Sequence, residues 1–195
     1  MRNLSYRHTA YPSAWLAAAC GFLYSVTFVF IPGAGALTAA LLLLGGIFGS
    51  SALIGLYERI EPGAGRYALW ALIFGVAAAF SATLHGGYDL ANAINPPGQT
   101  ATLPSPVDPR GLGTFGLAGA SVIAFAFLIS REARFPRNFA YLGYVSGTLL
   151  ILVYLARLVI LTPSNPLVLG PAAVEGFIVN PAWYVWLGFL LRRAS

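Results

Sequence analysis

Residues 67–95 read YALWALIFGVAAAFSATLHGGYDLANAIN. The first half of this stretch is apolar without interruption. The whole is long enough to cross the roughly 30 Å of bilayer hydrocarbon as a helix. Before the run ends, His85, Tyr88, Asp89 and Asn92 appear at helical spacing, so all four share one face. Hydrocarbon makes polar side chains expensive, so such a stripe is expected to face the interior of a bundle.

The rest of the chain has the same character. Of 195 residues, 58% are hydrophobic and only 9% charged, against about 25% charged in soluble domains. A soluble core of this length could not hide that much apolar surface, so the chain reads as an all-α polytopic membrane protein. Its net charge of +5 does not point to nucleic acid, because the basic residues do not collect on one soluble face. Every basic residue is Arg, and the absence of Lys excludes Schiff-base chemistry such as a retinal linkage. Cys20 is the single cysteine, so neither an internal disulfide nor a cysteine metal site is available. His85 and Asp89 could both touch a metal at i, i+4, but no second His lies in that span, and no metal site is assigned.

Six apolar segments, about 11–31, 35–57, 67–93, 111–130, 139–161 and 172–191, are each near the length of a membrane span. They predict one transmembrane domain, a six-helix bundle. Arg2 and Arg7 precede the first run, and Ala34-Gly35-Ala36 has the small residues of a signal-cleavage site. The run exceeds a usual signal h-region, so it is expected to stay as the first helix. With the N-terminus in the cytoplasm, Arg59, Arg66, Arg131, Arg134, Arg137, Arg192 and Arg193 also fall inside, and Arg110 falls in the outer loop 96–110. This Arg bias predicts both termini cytoplasmic.

That topology gathers the ionisable residues away from the helix ends in the outer half. His85, Asp89, Asp108, Arg110, Arg157 and Glu175 all belong there, with Glu175 in the first turn of the last helix. Asp89–Arg157 is the leading expected ion pair. Gly86-Gly87 permits a close approach beside His85, and Asn180-Pro181 interrupts the last helix and frees a carbonyl. The ligand-binding or ion-pair candidates are therefore His85, Tyr88, Asp89, Asn92, Arg157, Glu175 and Asn180, with Asp108 and Arg110 in the outer loop. No catalytic residue is assigned, since GxSxG, HExxH and P-loop patterns are all missing.

Trp15, Trp70, Trp183 and Trp186, with several tyrosines, fall near predicted helix ends and read as an interfacial belt. A pigment or quinone site using some of them is left open; no cofactor is implied. Small residues recur at four-residue spacing, as at Gly45/Gly49, Gly75/Ala79 and Gly143/Gly147. They suit close packing within the bundle or a homo-oligomer seam. Two hairpins, YERIEPGAGRYALWALIFG and SREARFPRNFAYLGYVSG, also resemble each other. Aligning Ala68 on Ala140 sets His85 opposite Arg157.

The ordered set LIGLYERIEP, LHGGYDLANAINPP, PVDPRGL, YLARLVIL and NPAWYVWLG resembles an uncharacterised bacterial family of actinobacterial and Chloroflexi type. Its members are small six-helix integral membrane proteins. The resemblance implies a bacterial cytoplasmic (inner) membrane location and carries no activity. In architecture alone, the chain is also similar to the substrate-binding subunits of energy-coupling-factor vitamin transporters. Their first-helix small-residue motif would fall on Ala14-Ala18 or Ala17-Gly21. Three function classes follow. The first is a binding or transport-type protein with an outward polar pocket for a small molecule or lipid. The second is a structural or accessory subunit of a larger membrane complex, and the third an intramembrane enzyme. A pocket of a few hundred Å³ reaching His85 is the feature that favours the first.

Overall fold

The computed structural model describes residues 6–95, 110–160, 162 and 164–193, with only the backbone described at Arg7 and Glu61. The described chain is a bundle of six helices long and apolar enough to cross a membrane. They are α1 (Arg7–Phe30), α2 (Gly35–Ile60), α3 (Pro62–Ile94), α4 (Leu112–Arg131), α5 (Arg137–Val159) and α6 (Pro166–Arg192). Most of the expected loop 96–110, Asp108 included, lies outside the described residues, and Arg110 is already helical.

Helices α2 and α3 follow each other almost without a loop, and the chain turns back at Gly65, a non-helical residue near the start of α3. Gly65 has φ 51° and ψ −121°, a conformation that a residue with a Cβ rarely adopts. The two arms then pack antiparallel at very short range. A Cβ built on Gly86 of α3 would sit 2.5 Å from the Ala39 carbonyl oxygen of α2, and one on Gly46 would sit 2.5 Å from the Ala79 carbonyl oxygen.

Each helix packs on the next, and the last closes on the first. Gly75 of α3 meets Ser121 of α4, whose Oγ donates to the Ala71 carbonyl at 2.7 Å. Gly119 of α4 and Gly147 of α5 bring their backbones together, each 2.8 Å from the other's carbonyl oxygen when given a Cβ. Trp183 of α6 stacks on Phe139 of α5 with ring centroids 5.4 Å apart. Trp15 of α1 closes the ring by donating its Nε1–H to the Val185 carbonyl at 3.3 Å, over Gly188. The small-residue pairs thus serve packing within the chain. In lipid, where burial from water drives little between helices, such packing is what holds a bundle together.

The centre of the ring differs at its two ends. On the side of the chain termini it is filled by Leu56, Ile60, Phe125, Ile129, Phe139, Trp183 and Leu187, all essentially inaccessible. Trp183, 1% exposed, is therefore a core residue and not part of an interfacial belt; α6 extends beyond it by about two and a half turns. On the side of the loops after α1, α3 and α5, the centre is lined by glycine and alanine. Large apolar side chains such as Phe80, Leu84 and Val159 point outward, as suits contact with lipid chains.

Candidate functional site

Small residues in the loop half leave a cavity of about 480 Å³. Gly45, Gly49, Gly75, Ala78, Ala82 and Ala172 are among its lining residues. Its volume lies in the range of small-molecule sites. Its walls are mostly apolar, with polar groups converging from α1 (Tyr24), α3 (His85, Asp89), α4 (Thr114), α5 (Tyr154, Arg157) and α6 (Glu175, Asn180, Tyr184).

The stripe on α3 is divided by this arrangement. His85 and Asp89 line the cavity, and His85 Nε2 lies 3.3 Å from Asp89 Oδ2. Tyr88, 49% exposed, is turned to the bundle surface, where the Arg110 guanidinium lies 4.7 Å from its ring centroid. Asn92, one turn closer to the loop, is partly buried and is not among the cavity's lining residues. The expected Asp89–Arg157 pair is not formed. Asp89 Oδ1 instead accepts from Arg110 Nη1 at 3.0 Å, and Arg157 Nη1 donates to the Ile160 carbonyl at 2.9 Å. Arg110 is helical just ahead of α4, at the loop end of α3, and so reaches Asp89 directly. Arg157 is used instead to cap the last turn of its own helix, where carbonyls lack intrahelical donors. Arg157 still lines the cavity.

Glu175 is the most buried charged residue described, at 4% exposure. It sits in the third turn of α6, because the helix begins at Pro166 rather than near Ala172. Asn165 caps that start, its Oδ1 accepting from Leu167 N–H at 3.0 Å, and Pro166 occupies the first helical position. Pro171 is carried inside the helix. The carboxylate accepts from Ser146 Oγ of α5 at 2.6 Å through Oε1. The Asn180 side chain also approaches the carboxylate, but outside hydrogen-bonding geometry. Oε2 has no hydrogen-bond partner among the described residues.

Two stretches of π-helix border this cavity, and both deliver polar groups to it. Glu175–Val179 is π-helical, with Asn180 N–H bonded to the Glu175 carbonyl. The cause is Pro181: it has no N–H for the Phe177 carbonyl, and its ring crowds that oxygen, so the turn widens. The predicted interruption at Asn180-Pro181 is thus a widened turn, and it presents Glu175 and Phe177 to the cavity. Leu112–Leu117 is the second such stretch, and it presents Thr114 and Phe115. Thr114 Oγ1 is buried without a hydrogen-bond partner among the described residues. Sequence reasoning missed Thr114, Tyr24, Tyr184 and Ser146. The Gly-rich run GLGTFGLAGA was the available signal for the first.

Among the described residues, no three His, Cys, Asp or Glu side chains converge as a metal site would require. The arrangement is that of a partly polar, aromatic-lined chamber. No family model, no curated protein and no solved structure matches the chain.

Proposed function

We propose that this protein is a binding or transport-type membrane protein of a bacterial cytoplasmic membrane, taking up a small molecule or lipid in the chamber between its helices. The observation that carries this reading is the 480 Å³ cavity reaching His85 and containing a buried carboxylate. Packed interiors are dense, and a bundle built only for structure has no use for a chamber of this size. Buried polar atoms are normally hydrogen-bonded, and those bordering this cavity are the places where a ligand could supply partners. The excess of Arg on the face of the termini orients that face to the cytoplasm, so the chamber lies in the outer half of the membrane.

The test is native mass spectrometry of the full chain extracted in lipid nanodiscs. A bound species is expected on the wild-type protein and lost from Ala82→Phe, which fills the chamber. A wild-type protein carrying nothing specific, or a species equally retained by Ala82→Phe, would overturn the reading.

A further inference from the structure

We infer that the chamber selects an organic cation: a ligand with an ammonium head and an apolar, preferably aromatic, body. The inference rests on the chamber being a ligand pocket and specifies what it takes. Its foundation is Glu175. This side chain is 4% exposed, lines the chamber and makes no ion pair with any described residue. One carboxylate oxygen is fixed by Ser146 Oγ at 2.6 Å, and the other has no hydrogen-bond partner among the described residues. A buried carboxylate held in place by one hydroxyl, with its second oxygen still to be satisfied, is matched by a group that brings both a positive charge and N–H donors. An ammonium brings both; an alcohol brings one donor and no charge, and a carboxylate is repelled.

The walls agree with that choice. Tyr24, Phe177 and Tyr184 line the chamber with Glu175, and Tyr184 lies within electrostatic reach of it. An aromatic ring such as Tyr184 beside the carboxylate gives an ammonium cation–π attraction on top of its ion pair. The widened π turn that holds Glu175 sets the carboxylate on the chamber wall. Arg157 lies in the last turn of α5, at its loop end, whereas Glu175 lies in the third turn of α6. A cationic head on Glu175 leaves the apolar body among the Ala, Leu and Val side chains that line the chamber.

The experiment compares three probes of one shape on the full chain in nanodiscs, with empty nanodiscs subtracted: 4-phenylbutylamine, 4-phenylbutanol and 4-phenylbutanoate. Isothermal titration is expected to show the amine binding at least about tenfold more tightly than the alcohol, the gain of a charge-assisted hydrogen bond. The acid is expected to bind least. Glu175→Gln keeps the side-chain shape and is expected to bring amine and alcohol to equal affinity. Ala82→Phe on α3 and Ala172→Phe on α6 are each expected to block both, so that a folding defect particular to one helix does not decide the result. Equal amine and alcohol affinity in the wild type, or an amine preference that survives Glu175→Gln, overturns the inference. If the probes bind without amine preference and the filled variants block them, the pocket stands and only its cation selectivity falls. If no probe binds, or the filled variants bind as well as wild type, both readings fall.

Discussion

Ser146 Oγ donates to Glu175 Oε1 across 2.6 Å and so ties the middle of α5 to the π-helical turn of α6. Ser146 is 1% exposed and Glu175 4% exposed, so neither has an alternative partner in solvent. The bond therefore fixes the position of the carboxylate on which the chamber's chemistry depends.

Ser146→Ala removes the one hydrogen bond to that carboxylate without adding volume. Thermal unfolding in nanodiscs is expected to show a loss of about 1–2 kcal/mol, the scale of interhelical polar contacts in membranes. Combined with Glu175→Gln, the second change should cost less than it does alone. Additive effects would show that the two side chains do not act as a pair.

Gly86 and Gly87 are neighbours in sequence with opposite roles. A Cβ on Gly86 would meet the backbone of α2, 2.5 Å from the Ala39 oxygen and 2.5 Å from Leu43 N, whereas one on Gly87 meets only Leu43 Cδ1 at 3.6 Å. Gly86→Ala is expected to destabilise by about 1–3 kcal/mol, since backbone cannot step aside cheaply. Gly87→Ala should be neutral or stabilise by up to about 1 kcal/mol through helix propensity. Equal stabilities for the two variants would contradict the packing described.

Asp89 pairs with Arg110 and His85, not with Arg157. A double-mutant cycle on Asp89 and Arg110 is expected to give a coupling of about 0.2–1 kcal/mol, modest because the Asp89 side chain is 42% exposed. The same cycle on Asp89 and Arg157 should give a smaller value. The reverse order would restore the pairing expected from helix register.

The orientation is open to chemical labelling. In a Cys20→Ala background, Leu169→Cys lies at the chamber's loop end and Tyr67→Cys, at a 71% exposed position, near the opposite face. A membrane-impermeant maleimide added to intact cells is expected to modify the first and not the second. Labelling of Tyr67→Cys alone would invert the topology drawn from the Arg bias.

Much of this molecule was legible in the order of its residues. Runs such as 35–57 and 139–161 differ from the observed helices by only a few residues, because apolar length against bilayer thickness is a local property. The start of α6 was not read correctly: Pro171 resembles a boundary, but Asn165 and Pro166 supply the cap and first position five residues earlier. That shift moved Glu175 from the first turn to the third. Likewise Trp183 resembles a belt residue in sequence, and only its burial against Phe139 shows it to be core. Of the stripe His85–Asn92, only His85 and Asp89 line the cavity, while Tyr88 faces outward.

The sequence by itself determined the membrane as solvent, six helices and a half of the bundle rich in polar groups. Each of these follows from hydropathy, chain length and backbone chemistry within one segment. Only the tertiary structure decided which polar groups meet. It paired Asp89 with Arg110, gave Ser146 to Glu175, and widened the turn at Pro181 around the chamber. Those outcomes depend on the rotation of each helix about its axis and the depth at which it packs. Glycine-to-backbone contacts between distant segments set both, and no single segment contains that information.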